Sequence, residues 1–175
     1  MADMPSPHER VAAGLDELCA DALRRRHREL RRDVRHVREQ LRGLAGAGSP
    51  AADIVQQFDG LATFLELHLV KEENILFPAL EALAEAARVG GSRPPLPFPS
   101  VLNPVRLLEG EHVRVHELLV RVIEAASKAR PEGGEERWVP AFAALAALQA
   151  TLDEHVRFED EVLFPKALEV ERQLS

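Results

Sequence analysis

The chain has 175 residues, and hydrophobic residues make up 46% of them, so a single domain over 1–175 can bury a substantial core. The formal net charge of −7 argues against a globally basic protein that binds nucleic acid or a membrane surface. The single cysteine, Cys19, excludes an intramolecular disulfide framework and a cysteine-rich metal site. The N-terminal segment lacks a signal-peptide pattern and no apolar run is long enough to span a bilayer, so we expect a cytoplasmic protein.

Proline and glycine divide the chain into four long segments of helical periodicity. Ser6 and Pro7 carry the pattern of a capped helix start, and they open the first segment. Short turns with glycine and proline end the first and third segments, and the residues between the second and third are too rich in proline for regular structure. The predicted helices cover about 7–44, 50–89, 104–130 and 136–173, with a proline-rich crossover at 90–100.

This order of elements predicts the fold class. β-Branched residues do not alternate with polar ones between regular turns, so we expect an all-α protein. Two short turns and one long crossover favour an antiparallel four-helix bundle built from two helical hairpins. Pro78 and Pro165 lie inside the second and fourth helices and predict bends there, because proline has no amide proton for the helix ladder.

One histidine interrupts the apolar face of each predicted helix, and a glutamate follows one turn later in the second and fourth helices. Apolar positions recur every third or fourth residue, as expected for one buried helix face, and we place Leu23, Ile75 and Val162 among them. Burying four imidazoles and two carboxylates is costly unless something binds them. The six candidate metal ligands are His27, His68, Glu72, His112, His155 and Glu159.

The four histidines are also level along the bundle. His27 lies 20 residues before the first turn, near Ala47, and His68 lies 21 residues after it. His112 and His155 lie 21 residues before and 22 residues after the second turn. At about 1.5 Å per residue these distances along the helices match, so we expect the six candidates to converge on one layer.

The two hairpins resemble each other in sequence. The segment 68–78, HLVKEENILFP, aligns without gaps with the segment 155–165, HVRFEDEVLFP. Histidine, glutamate, leucine, phenylalanine and proline match at equal offsets. Two similar halves around one layer of ligands suggest a dinuclear metal centre with a pseudo-two-fold axis.

The ligand types narrow the choice of metal and of substrate. Imidazole and carboxylate without thiolate suit iron, manganese, zinc or nickel. If Glu72 and Glu159 bridge two six-coordinate ions, then the side chains and a bridging oxide or hydroxide fill about ten of about twelve positions. The positions that remain favour a small diatomic ligand or peroxide over a large organic substrate. The sequence does not identify a catalytic residue or an organic cofactor site.

The doubled His-x-x-x-Glu motif, followed each time by Leu-Phe-Pro, resembles the hemerythrin-like, HHE cation-binding family. The resemblance extends from the first helix to Pro165. It implies a four-helix bundle with two non-haem iron ions, although manganese and zinc also fit these ligands. Resemblance to the cluster-repair members places His27 and His155 on one iron. It places His68 and His112 on the other.

Two positions leave the ligand set open. His116 follows His112 by one helical turn, as in the oxygen-carrying members of the family, and is a further candidate ligand. Those members take a carboxylate five residues after the last histidine, where this chain has Asp160. We favour Glu159 instead, because it lies in the apolar stripe and mirrors Glu72.

The sequence therefore predicts a di-iron protein that binds or reacts with dioxygen, nitric oxide or peroxide. Two alternatives stay open: a metal- or oxygen-responsive module that acts through a protein partner of unknown nature, and an enzyme that decomposes peroxide. The cluster-repair members carry an extra N-terminal domain with cysteine, which weakens a repair activity here. No nucleic-acid or membrane partner is expected, because no aromatic residues interleave the arginines of the first helix, pairs such as Arg25 and Glu29 are typical of a solvated helix face, and the chain as a whole is acidic.

Overall fold

The computed structural model describes residues 14–45, 51–130 and 135–175. Every regular element in these ranges is helical, and the elements join into four long helices, which confirms the all-α four-helix bundle. The helices are α1 (Leu15–Asp21, Ala22–Arg26, His27–Leu44), α2 (Ala51–Lys71, Glu72–Leu76, Phe77–Arg88), α3 (Leu102–Ala129) and α4 (Val139–Phe158, Glu159–Leu163, Phe164–Gln173). A 3₁₀ turn, Glu135–Trp138, precedes α4. None of the described helices is long and apolar enough to cross a membrane.

Gly14 and Pro104 lie at the starts of two described helices. Gly14 has φ 99°, outside the right-handed helical region, and the described part of α1 begins directly after it at Leu15. Helix α3 begins at Leu102, because Pro104 fits the first turn, where its missing amide proton is not needed. The start predicted at Ser6 and Pro7 and the turns predicted around 46–50 and 131–134 lie outside the described residues.

Helix α1 packs against α2 and α4, and α2 also packs against α3. The core between them consists of two apolar clusters, each centred on leucine and phenylalanine side chains. One cluster lies in the half of the bundle that contains Leu41 and Phe58. The other lies in the half that contains Leu15 and Phe164. The six candidate ligands are buried between the two clusters, so the bundle holds them in a layer that crosses its centre.

Within the described ranges, three of the four helices contain a five-residue π-helical segment, and each segment adjoins a candidate ligand. Ala22–Arg26 ends directly before His27, whereas Glu72–Leu76 and Glu159–Leu163 begin at the two glutamates. The helices continue through Pro78 and Pro165, each of which follows a π segment by two residues. Short π segments often lie at functional sites. Here a wider turn precedes each proline, where an α-helical turn would need an amide proton that proline lacks.

The π segments also explain three errors in the predicted apolar faces. Leu23, Ile75 and Val162 were expected in the core, but they are 43%, 47% and 45% exposed. Each lies inside a π segment, where the extra residue in the turn rotates the following positions around the helix. The residues next to two of them, Leu76 and Leu163, are buried instead.

The crossover between α2 and α3 is attached to the end of α4. Gly90 closes α2 with φ 67°, and the amide of Gly91 donates to the carbonyl of Ala86 at 2.8 Å. Further along, the buried carboxylate of Glu171 accepts hydrogen bonds from the amide of Val101 at 3.1 Å. Glu171 also accepts from the Ser100 hydroxyl and from Arg93, so one carboxylate of α4 fixes the crossover.

Candidate metal centre

The structure brings the six candidate ligands together in one layer. Each of the four helices contributes one histidine, and α2 and α4 each add a glutamate from the following turn. None of the six side chains is more than 3% exposed. The convergence follows from the sequence, since the four histidines lie at matched distances from the turns of antiparallel hairpins.

Glu72 lies between the histidines of the first hairpin. Its Oε1 is 3.1 Å from Nε2 of His68, and its Oε2 is 3.3 Å from Nε2 of His27. The two oxygens of one carboxylate therefore face two different imidazoles. A carboxylate in this position has one oxygen available for each of two neighbouring ions.

Glu159 occupies the corresponding place in the second hairpin. Its Oε2 is 3.1 Å from Nε2 of His112 and 3.4 Å from Nε2 of His155. Its Oε1 points towards the first hairpin, 3.9 Å from Nε2 of His27. Five of the six side chains offer ligand atoms that all lie within 4.8 Å of one another, and His27 is outside that set. His27 thus lies at one end of the layer.

These side chains leave an unusual number of buried polar atoms without a hydrogen-bond partner among the described residues. The atoms are Nε2 of all four histidines, Nδ1 of His155 and all four oxygens of the two glutamates. Unpartnered buried polar atoms are rare in folded proteins because each costs free energy. Ligand atoms about 2.0–2.2 Å from a shared cation, at right angles, lie about 3 Å apart, close to the separations of 3.1–3.4 Å found here. The donor set fits a cation bound between these atoms.

Carboxylates hold three of the four imidazoles from the outside. Nδ1 of His27 lies 2.8 Å from Glu73, Nδ1 of His68 lies 3.1 Å from Glu111, and Nδ1 of His112 lies 3.0 Å from Asp160. Each carboxylate accepts the Nδ1–H of its histidine and leaves the lone pair of Nε2 directed into the layer. Metal-binding histidines in proteins are commonly held in this way.

Basic side chains in turn hold two of these carboxylates. Arg31 donates to Glu73 at 2.7 Å and also pairs with Glu66. Lys71 donates to Glu111. Asp160 is the most exposed of the three carboxylates, with a side chain that is 36% exposed. The outer contacts of the layer are therefore less enclosed near His112 than near His27.

His116 and Asp160, whose roles the sequence left open, both lie outside the layer. His116 uses Nδ1 towards the carbonyl oxygen of His112 at 2.9 Å and Nε2 towards Asp153 at 2.7 Å. Both of its ring nitrogens therefore have partners away from the glutamates. Asp160 contacts the outer nitrogen of His112, on the side opposite the layer.

The buried imidazoles and carboxylates of the layer shift each other's pKa values. Burial opposes the charged form of His27, but Glu159 and Glu72 outweigh it and raise its pKa to about 10. Burial likewise opposes ionisation of Glu72, but His27 and His68 lower its pKa to about 2. Burial, together with the positive charge of the neighbouring imidazoles, lowers the pKa of His155 to about 3. In the absence of a cation, protons on the histidines supply the positive charge that the carboxylates need.

Two phenylalanines close the layer on the side of the second core cluster. The ring of Phe77 lies 5.5 Å from the ring of His27. The ring of Phe164 stacks on His112 at 6.0 Å, with an angle of 2° between the planes. Both rings are buried, so they separate the imidazoles from solvent at that end.

Glu111 is a partner of His68 that was not predicted from the sequence. The residue lies directly before His112 and is brought to His68 by the packing of α3 on α2. Glu73 and Asp160 share a clearer signature, because an acidic residue directly follows each candidate glutamate in the repeated motif. For Glu111, the only comparable indication is a carboxylate adjacent to a candidate ligand.

A model of the hemerythrin HHE cation-binding domain matches residues 19–167 of this chain. The iron-sulfur cluster repair protein YtfE of Edwardsiella ictaluri is 32% identical over 162 residues, which cover 89% of this chain and 67% of that protein. The YtfE proteins of Yersinia pseudotuberculosis and Enterobacter sp. are 30% and 28% identical, and the aligned parts cover 42% and 47% of their lengths. This chain therefore spans two thirds of the first relative and less than half of the other two. Since the family model covers most of the sequence, including all six buried histidine and glutamate side chains, the chain belongs to the hemerythrin HHE cation-binding family.

Proposed function

We propose that this protein holds two non-haem iron ions in the buried layer and binds or reacts there with a small oxidant: dioxygen, nitric oxide or peroxide. The observation that carries the proposal is the set of nine buried nitrogen and oxygen atoms that lack hydrogen-bond partners in the described parts of the chain. All nine belong to imidazoles and carboxylates, which suit iron, and the family to which the chain belongs binds cations. Manganese and zinc fit the same atoms, so the metal content must be measured.

The distances favour one division of the ligands between the two ions. The rings of His68 and His112 are 4.9 Å apart, and those of His27 and His155 are 5.4 Å apart. The ring of His155 lies farther from those of His68 and His112, at 6.3 and 6.1 Å. We assign each of the two closer pairs to one ion.

Glu72 and Glu159 would bridge the two ions, and a bridging oxide or hydroxide would complete the centre. For Glu72, the evidence is that its two oxygens face His68 and His27, which belong to different pairs. For Glu159, Oε2 lies 3.1 Å from His112 and 3.4 Å from His155, which belong to different pairs, and Oε1 lies 3.9 Å from His27. Bound iron supplies exchangeable coordination positions and a change of oxidation state.

The chain itself orients the donors and excludes water. Glu73, Glu111 and Asp160 accept Nδ1–H bonds, which keeps Nε2 of three histidines free for the metal. An open surface depression of about 740 Å³ between α3 and α4 reaches His112 and Asp160. Since His112 is only 3% exposed, a small molecule can approach the layer from this depression more easily than a bulky one.

The proposal is tested by loading metal-free protein with Fe²⁺ under anaerobic conditions and measuring metal content by elemental mass spectrometry. About two irons per chain are expected for a dinuclear centre. The loaded protein is then exposed separately to dioxygen, nitric oxide and peroxide while its absorption spectrum is recorded. Zinc alone or no metal after loading, or an unchanged spectrum with all three, would refute the proposal. Oxygen evolution from peroxide would indicate an enzyme, and a reversible dioxygen complex would indicate storage or sensing.

Iron–sulfur cluster repair is a second candidate, which rests on the names of the relatives and the 32% identity over 89% of this chain. It is tested by incubating the iron-loaded protein with an enzyme whose cluster has been damaged by nitric oxide, and by measuring recovery of that enzyme's activity. A matched sample with metal-free protein separates repair from spontaneous recovery.

A further inference from the structure

The layer is built from two similar halves, so differences between the halves can be identified residue by residue. His112 stands 85 residues after His27, and His155 stands 87 residues after His68. The same offsets relate the other contacts of the layer. Equivalent pairs are Glu72 and Glu159, Glu73 and Asp160, Phe77 and Phe164, Arg26 and Glu111, and Lys71 and Phe158.

Two imidazoles keep equivalent outer partners. His27 contacts Glu73, and its counterpart His112 contacts Asp160, which is the counterpart of Glu73. In both cases the carboxylate comes from the helix that supplies a candidate bridging glutamate, one residue after it. The carboxylate partners of His27 and His112 therefore follow the two-fold repeat.

The other two imidazoles break the repeat. His68 contacts Glu111, which also pairs with Lys71. The residue equivalent to Glu111 is Arg26, so His155 has no carboxylate at this position. Nδ1 of His155 is buried and has no hydrogen-bond partner among the described residues.

Arg26 is held near His155 by contacts with three other side chains. Its guanidinium carbon lies 3.9 Å from the centre of the Phe158 ring, and Phe158 is the counterpart of Lys71. The guanidinium also pairs with Asp21 at 3.0 Å and with Glu154 at 3.4 Å. The first half therefore has the ion pair of Glu111 and Lys71, and the second half has Arg26 stacked on Phe158 in the equivalent place.

We infer that this replacement makes the two metal positions unequal, so that the ion held by His155 binds more weakly and exchanges while the other stays bound. The inference rests on the proposed two-ion centre. An outer carboxylate fixes a histidine ligand and raises its basicity, and losing one typically lowers metal affinity by about 10–100-fold. At half saturation, a difference of that size leaves about 60–80% of chains with one ion, against about 50% for equal, independent positions.

The experiment titrates metal-free protein with Fe²⁺ under anaerobic conditions in the presence of a competing chelator. Native mass spectrometry counts the chains that carry zero, one and two ions at each point. The first variant, Arg26→Glu with Phe158→Lys, places in the second half the residue types found at Glu111 and Lys71. It is expected to lower the one-ion fraction at half saturation towards about 50% by strengthening the weaker step.

A second variant reduces the difference between the two sites by weakening the tighter one. Glu111→Gln weakens the hold on His68 and is expected to lower the affinity of the tighter step by about 10–100-fold, which also reduces the one-ion fraction. Glu109→Gln is the matched control, because Glu109 is exposed on the same helix and should leave both steps unchanged. Circular dichroism checks that each variant keeps its helical content.

The outcomes separate the two proposals. Two ions per chain in the wild type with a one-ion fraction of about 50% at half saturation would overturn this inference and leave the dinuclear centre intact. An unequal wild type whose one-ion fraction is unchanged in both folded variants would also overturn it, because the outer contacts would then not cause the difference. Fewer than two ions at full loading would instead overturn the proposed function, and this inference with it.

Discussion

Removal of the metal should lower the thermal stability of this protein strongly, because the layer lies between the two halves of its core. Nine buried atoms of the layer lack a hydrogen-bond partner among the described residues. A buried polar group left unsatisfied costs about 1–3 kcal/mol. A bound cation removes this cost at each atom that it contacts, and the unfolded chain has no equivalent site.

The size of the effect follows from mass action and from chain length. An ion present at about 1,000 times its Kd stabilises the folded state by about 4 kcal/mol. For a chain of this length, each kcal/mol changes Tm by about 2–4 °C. We therefore expect the iron-loaded protein to melt about 8–16 °C above the chelator-treated protein, and further above it if the second ion contributes independently.

Differential scanning calorimetry of the loaded and chelator-treated forms measures this difference. His68→Gln removes a candidate ligand and is expected to abolish most of it. His116→Gln is the matched control, because His116 contacts a carbonyl oxygen and Asp153 rather than the layer. A wild-type difference below about 2 °C, or an equal loss in both variants, would refute the reasoning.

Three further predictions follow from buried groups. Glu171→Ala should lower the free energy of unfolding by about 3 kcal/mol in urea titrations, because the crossover loses its buried carboxylate. Partly exposed Glu169→Ala, which removes only a 3.8 Å ion pair with Lys166 and a 3.5 Å contact with Gln173, should change it by less than about 0.5 kcal/mol. Thr151→Val should cost about 1–2 kcal/mol in the same assay, because it removes the hydroxyl that donates to buried Asp33 at 2.7 Å. Burial disfavours the charged form of His27, but the glutamates outweigh this effect and raise its pKa from 6.5 to about 10. The contribution of protonated His27 to the stability of the folded protein is therefore fully present below pH 6.5. The metal-free protein should therefore lose stability as the pH rises from 6.5 to about 10, and a flat unfolding midpoint over this range would contradict the assignment.

The bundle and its central layer could be predicted from the sequence because each depends on a local repeat. Apolar residues at steps of three and four define one face of each helix, and the turn lengths determine which helices are antiparallel neighbours. His27 and His68 meet because they lie at nearly equal distances from one turn, and the structure places both beside Glu72. Contacts of this kind can be predicted by counting residues from the turn that joins the two helices.

The π segments could not be predicted in the same way. A regular period of 3.6 residues places Ile75 on the face of Glu72, but one extra residue in the turn exposes Ile75 and buries Leu76. The same shift exposes Val162 and buries Leu163 in α4. The positions of Pro78 and Pro165 gave the only local indication, since a proline two residues after the segment makes a regular turn costly there.

The two-fold repeat indicates a role for His116 that its spacing from His112 alone does not. One turn after a histidine is the position of a further ligand, but it is also the counterpart of Arg31 in the first half. Arg31 pairs with Glu66, and His116 pairs with Asp153, which is the counterpart of Glu66. Both residues therefore link a histidine-bearing helix to its neighbour outside the layer. Because the equivalent contact in the first half is made by an arginine, which is always protonated and cannot ligate a metal, the repeat favours a bracing role for His116 over ligation.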